Sequence, residues 1–157
     1  MRSIIRIWKK EDYEDIAKLF CQVHNLHQSG RPDFYEVSDR PLKQEDFDEL
    51  LQNEKIITLA AESEGTIIGF SIVELREPSR NPLMRSRQVA WMEDLCVDEK
   101  YRRQGIGKLL FDAVNEEIKS RGITSLELMV WNFNKSAVEF YRGLGMTERS
   151  LIMELKL

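Results

Sequence analysis

"DEKYRRQGIGKLLF", residues 98–111, sets Lys100, Arg102, Arg103 and Lys108 around two glycines, in a chain whose net charge is −4. An apolar stretch of helical period follows at once. Glycine destabilises a helix by about 1 kcal/mol relative to alanine, so Gly105 and Gly107 at a helix start need a reason. A helix N-terminus leaves its first N–H groups unpaired and carries roughly half a positive charge, which makes it an anion site. Glycine lets an anion approach that backbone with no Cβ in the way. Strand, basic glycine turn, helix: the stretch predicts a pyrophosphate cradle. It is not a Walker loop, because GxxxxGK[ST] is absent, and Leu110 stands where the third glycine of GxGxxG belongs. By itself Arg102-x-x-Gly105-x-Gly107 is short enough to recur by chance, so its surroundings carry the reading.

Upstream lies "RQVAWMEDLCV" (87–97), a strand apolar on both alternating faces and therefore covered on both sides. It carries Glu93 and Asp94. A buried carboxylate is expensive unless paired or neutralised; the alternative is local hydrogen bonding or an exposed strand edge. Downstream, a helix over 105–120 buries Ile106, Leu109, Leu110, Ala113, Val114 and Ile118, with Gly122 at a left-handed C-cap. "ITSLELMVW" (123–131) reads as a strand. "NKSAVEFYRGL" (134–144) reads as a short helix ended by Gly145. "MTERSLIMELKL" (146–157) alternates and predicts one or two final strands.

The N-terminal half supplies a strand at 3–9, a helix at 10–28, a loop at 29–41 broken by Gly30, Pro32 and Pro41, and an acidic helix at 42–54. A hairpin follows, 55–63 and 66–77 around Glu64–Gly65, then a loop at 78–86. The order β-α-α-β-β-β-α-β-α-β predicts a mixed α/β sheet in one domain, 1–157. Apolar residues make up 42% and charged residues 32% of the 157, the mixture of an ordinary globular protein. Strong basicity is absent, which argues against general nucleic-acid binding. No stretch approaches the roughly 20 apolar residues of a membrane span, and the N-terminus is too short in apolar residues for a signal peptide. Cys21 and Cys96 lack metal-ligand spacing and predict reduced thiols in a cytoplasmic setting.

"VDEKYRRQGIGKLL", followed by a strand and "NKSAVEFYRGLGM", resembles the GNAT superfamily of N-acetyltransferases. "MEDLCV" with "NKSAVEFY" further resembles its spermidine/spermine acetyltransferase-like group, although no N-terminal motif fixes a polyamine substrate. The resemblance implies a mixed, mostly antiparallel sheet splayed between its fourth and fifth strands, with about four helices. It implies acetyl transfer from acetyl-CoA to a small-molecule primary amine by direct attack. Protein or peptide acetylation and a catalytically inactive CoA-binding module are the alternatives. Domains of this kind often pair as homodimers through their C-terminal strands.

Carried onto this chain, backbone groups of Leu95, Cys96 and Val97 would hold the pantetheine arm. The turn of Arg102, Arg103, Gln104, Gly105, Ile106, Gly107 and Lys108 would hold the pyrophosphate. Asn134 would hydrogen-bond the cofactor arm, with Ala137 and Phe140 lining it. Glu93 is the expected base, because an ammonium has no lone pair and must lose a proton before attack. A backbone N–H near Leu95–Cys96 would polarise the thioester carbonyl. Tyr141 matches the acid that protonates the departing thiolate; its bland alternative is a core aromatic. Cys96 invites an acetyl-thioester mechanism, which a small buried apolar role outweighs. His24 and His27 suit a helix end better than a metal, and no metal is expected. His27, Asp33, Phe34 and Tyr35 fall where the resemblance places the acceptor. Arg76, Arg80, Arg85 and Arg87 are either surface charge or partners for an acidic acceptor group.

Overall fold

The computed structural model describes residues 2–157. In chain order the elements are β1 (Ser3–Ile7), a 3-10 turn (Lys10–Asp12), α1 (Tyr13–Gly30), α2 (Gln44–Gln52), β2 (Ile56–Ser63), β3 (Thr66–Arg76), β4 (Val89–Val97), a second 3-10 turn (Glu99–Tyr101), α3 (Ile106–Ser120), β5 (Leu126–Leu128) and α4 (Lys135–Gly143). The strands form one sheet in the order β1-β2-β3-β4-β5, antiparallel except for the parallel pair β4/β5. The expected mixed, mostly antiparallel sheet with four helices is what the chain forms.

Each face of the sheet carries its own core. On one, α1 and α2 lay Tyr13, Ile16, Leu19 and Phe47 against Trp8, Phe70, Ile72 and Cys96. Trp8 stacks on Phe47 at 5.2 Å, and Phe70 meets Trp8 edge-on at 5.7 Å. On the other, α3 presses Ile106, Leu110, Phe111, Val114 and Ile118 onto Leu59, Val73, Ala90 and Met92. Leu109, placed on the core stripe by periodicity, points outward instead.

One irregularity positions everything that follows. Against β3, β4 runs in register from Val89 to Met92 and again from Asp94 to Val97, but Ile72 pairs with Asp94 while Val73 pairs with Met92. Glu93 is therefore the extra residue of a β-bulge, which bends a strand and sharpens its twist. On the other edge of β4, pairing with β5 covers only Ala90–Leu126, Trp91–Glu127 and Met92–Leu128. The two strands part where the bulge begins.

Three sequence-based expectations are corrected. The strand expected over 123–131 shrinks to Leu126–Leu128, because β4 bends away and leaves residues 129–131 no ladder to join. α1 continues through Gly30, two residues past its expected end, and Arg31 N–H closes it on the His27 carbonyl at 2.8 Å; the Phe133 ring packs where a Gly30 side chain would be. Residues 146–157 alternate as expected but form no strand. Leu151, Ile152, Met153 and Leu155 are all more than four-fifths exposed. Side-chain ion pairs hold this segment to the body: Arg142–Glu148, Arg149–Glu127, Arg31–Glu154 and Lys156–Asp33.

Candidate active site

The parting of β4 from β5 opens a gap whose wall is the last third of β4. Asp98 N–H donates to the Ile68 carbonyl of β3 at 2.8 Å. Antiparallel alternation then turns the peptide groups of Cys96 toward β3 and those of Leu95 and Val97 toward the gap. Of the three residues expected to offer backbone groups there, Leu95 and Val97 face it; Cys96 spends its own on Phe70 of β3. The Val97 carbonyl accepts from Arg102 Nε at 3.0 Å, which ties the start of the turn to the end of the strand.

Asp98 begins the turn, its carboxylate accepting from the Lys100 N–H at 3.1 Å. Gln22 of α1 clamps it from the side, donating to Asp98 Oδ1 at 3.3 Å and accepting from the Glu99 N–H at 3.1 Å. Sequence reading missed Gln22, because a polar residue on an amphipathic helix gives no sign of what it will touch. The chain then enters the left-handed region twice, at Arg103 (φ 62°) and at Gly105 (φ 83°), the N-cap of α3. Leu109 N–H is the first α3 donor taken, by the Gly105 carbonyl at 3.1 Å. Among the described residues, the backbone donors from Arg103 to Lys108 have no acceptor outside the helix, so they can converge on an anion.

The two glycines do different work. A Cβ on Gly105 would meet open space, so it is the positive φ that favours glycine there. A Cβ on Gly107 would lie 3.0 Å from the Phe140 ring and 3.7 Å from Val97. Gly107 lets α4 close onto α3 beside the gap. Asn134 caps α4, its Oδ1 accepting from the Ala137 N–H at 3.3 Å, while its amide nitrogen stays uncommitted among the described residues. Ala137 and Phe140 are half-buried on the side of α4 that faces inward.

The candidate acid and base lie on opposite faces of the sheet. Tyr141 packs in the α3 core, and its hydroxyl points to Met92 Sδ at 3.8 Å, at the apex of the gap. Burial, reinforced by Asp94 and Cys96, pushes the Tyr141 phenol well above its ordinary range, so it keeps its proton. Glu93 is more exposed, with Arg76 at 3.9 Å. Burial and the neighbouring Glu74 raise its pKa, and Arg76 works against them. Asp94 is pushed up to about 7 by burial and then by Glu93. Cys96 lies in the α1 core with its thiol against the Leu19 carbonyl at 3.5 Å, and burial lifts it to about 12. A thiol so reluctant to ionise is a poor nucleophile.

Of the expected acceptor residues, His27, Phe34 and Tyr35 come together at the end of α1. His27 stacks on Tyr35 at 5.5 Å, and burial, with His24 beside it, lowers its pKa. Trp131, beyond β5, completes the cluster: it meets Phe34 edge-on at 5.1 Å and donates from Nε1 to the Tyr35 hydroxyl at 2.9 Å. The Arg31 guanidinium lies on the Trp131 ring at 4.7 Å and holds Asp33 at 3.0 Å, keeping that carboxyl well below the usual carboxylate range. Asp33 therefore faces the tail and Arg31 rather than an open acceptor site. Neither Trp131 nor Arg31 stood out in the sequence, since the cluster joins segments some hundred residues apart. Among the described residues, no group of three or more His, Cys, Asp or Glu side chains is placed to hold a metal.

A strand that bulges at a carboxylate, parts from its parallel neighbour, and runs into a basic glycine turn opening a helix defines an acyl-CoA-binding acetyltransferase fold. The family comparison agrees: the acetyltransferase (GNAT) family model matches residues 20–146, and the chain belongs to that family. It is 35% identical to a tetramutant of the BH1408 protein from Bacillus halodurans, with a TM-score of 0.94 over 98% of this chain and 99% of that one. It is 28% identical, over 148 residues, to an uncharacterized N-acetyltransferase of Methanocaldococcus jannaschii; the match takes in 94% of this chain but 62% of that protein's length. An aminoglycoside N-acetyltransferase in complex with CoA shares the fold, with a TM-score of 0.75 at 21% identity over 98% of each chain.

Proposed function

We propose that this chain, read as one domain, transfers an acetyl group from acetyl-CoA to a primary amine of a small molecule by direct attack. The observation that carries this reading is the juxtaposition at the end of β4. Free backbone donors of a glycine turn, an unpaired strand edge and a buried tyrosine hydroxyl all border one gap, with a carboxylate on the far face. The turn from Arg102 to Lys108 would bind the pyrophosphate, with Leu95 and Val97 pairing to the pantetheine arm as a strand would. Asn134 would offer its free amide, and Ala137 and Phe140 an apolar wall.

In the step itself Glu93 takes a proton from the incoming ammonium, directly or through a water, and the freed amine nitrogen attacks the thioester carbonyl carbon. The outward N–H of Leu95 stabilises the oxygen as it gains charge. The carbon–sulfur bond breaks as Tyr141 gives its proton to the thiolate, and the second proton, released by the acylated nitrogen, returns to Tyr141 through solvent. Cys96 takes no part. His27, Phe34 and Tyr35, with Trp131, would border the acceptor, and the acidic α2 favours a cationic one. The CoA complex and the acceptor class of the aminoglycoside acetyltransferase neighbour support a small amine and this cosubstrate. The pairing of "MEDLCV" with "NKSAVEFY" supports a diamine-like acceptor.

The C-terminal segment supports a homodimer. It carries the pattern of a strand, lacks a strand partner among the described residues and leaves its apolar side chains exposed. Pairing with a second copy would cover these side chains. The two free thiols accord with a cytoplasmic setting.

The test is acetyl-CoA turnover, read as free thiol, over a panel of diamines, amino acids, aminoglycosides and N-terminal peptides. A small amine should give turnover well above the hydrolysis background. Turnover confined to peptides would move the reading to protein acetylation. Acetyl-CoA binding without turnover on any amine would leave a binding module.

A further inference from the structure

On the α1/α2 face of the sheet, three side chains that the reaction as written does not use, Glu74, Arg76 and Trp91, gather beside Glu93. Glu74 and Arg76 lie two apart on β3 and so share a face, and Trp91 pairs with Glu74 across the ladder. The Arg76 guanidinium sits over the Trp91 ring at 4.0 Å. From there it reaches Glu74 at 3.4 Å and Glu93 at 3.9 Å. Arg76 and Glu74 also border an open cavity of about 500 Å³ between the start of β2 and the end of β3. Stacking on an indole fixes a guanidinium more firmly than solvent-exposed ion pairing alone.

We propose that Arg76 is a positioning residue for Glu93: laid flat on Trp91 between two carboxylates, it supplies the charge that lets Glu93 remain a carboxylate beside Glu74. The bulge makes this necessary. It pushes Glu93 outward onto the face that already carries Glu74, and two carboxylates brought together disfavour each other's ionisation. Glu74 and Arg76 from β3, with Asp94 and Trp91 on its own strand, are the groups that face Glu93 among the described residues. Only Arg76 among them is cationic. A base must be unprotonated at the pH of attack, so the charge of Arg76 extends the working range of Glu93 toward lower pH. The value of this to catalysis rests on the reading of Glu93 as the base; the charge relationship does not.

The experiment separates the two. Glutamate side-chain carboxyls labelled with ¹³C are titrated by NMR in the free protein, and the Glu93 resonance is assigned by its loss in Glu93→Gln. In Arg76→Met the Glu93 midpoint should rise by roughly half to one pH unit at low salt, less in high salt. Arg76→Lys should restore most of the shift, and Glu74→Gln should move the midpoint down. An unmoved midpoint in Arg76→Met, or the same rise in Arg76→Lys, overturns the proposal. The acid limb of kcat/KM is then measured on the same variants. A limb that follows the carboxyl supports both readings. A carboxyl that shifts while the limb stays put supports the role of Arg76 and removes Glu93 as the base.

Discussion

Glu93, Asp94 and Tyr141 are the residues whose chemistry most depends on their surroundings. Glu93→Gln keeps shape and loses the base, so turnover should fall at neutral pH, with the loss narrowing at high pH where the amine is already neutral in solution. Parallel pH–rate profiles would make Glu93 a positioning group. Tyr141→Phe removes one hydroxyl from a ring that stays packed; kcat should drop about 10²-fold or more with little change in acetyl-CoA affinity. Near-full turnover would return Tyr141 to the core. Asp94 gives a stability test. Its folded pKa, about 7, exceeds the ordinary 3.8. Between those values the folded state holds a proton the unfolded state has lost, so stability falls as pH rises through that window and is flat above it. Asp94→Asn should therefore raise the thermal midpoint more at pH 8 than at pH 4.5. Glu93 and Asp94 stood out in the sequence as carboxylates inside an apolar strand, whereas Tyr141 stood out only through the family resemblance, its place on an amphipathic helix suiting a core aromatic equally well. Trp131, Arg31 and Gln22 did not stand out, because their roles arise only when distant segments meet.

At the scale of elements, the strand-turn-helix unit from β4 to α3 was legible from glycine placement and apolar period alone. What the pattern could not reveal was the division of labour between its glycines. Gly105→Val puts a β-branched residue at a φ of 83°, so it should distort the turn and weaken acetyl-CoA binding at least tenfold by calorimetry. Gly107→Val instead crowds Phe140, and should loosen α4 and lower the thermal midpoint. Equal effects of the two on affinity and on melting would refute the distinction. The length of β5 was misread for a related reason. Residues 123–131 have the composition of a strand, but a strand exists only as far as its neighbour runs beside it, and the bend in β4 was invisible in its own alternation.

For the whole molecule, one mixed sheet covered on both sides followed from the sequence, while its division into two separate cores and the fate of the last dozen residues did not. Alternation specifies a strand without saying whose sheet it joins. Sedimentation should find a dimer, and Leu151→Lys with Met153→Lys should yield monomer with α-helical circular dichroism intact. A monomeric wild-type chain would leave the tail as a charged strap across Arg31 and Asp33.

The bulge at Glu93 also acts as a change of phase. Before it, Ala90 and Met92 feed the α3 core; after it, Leu95 and Val97 do, and Cys96 joins the α1 core. The even-numbered side chains thus cross from one side of the molecule to the other at a single residue. Glu93 can accordingly be substituted almost freely as far as folding is concerned, since its side chain is in neither core. Deleting it is a different matter: Asp94 would then follow Met92 directly, each later side chain of β4 would keep its layer, and what would go is the bulge, with the bend that parts β4 from β5. The residue is dispensable to the packing of either layer and necessary to the gap between the strands.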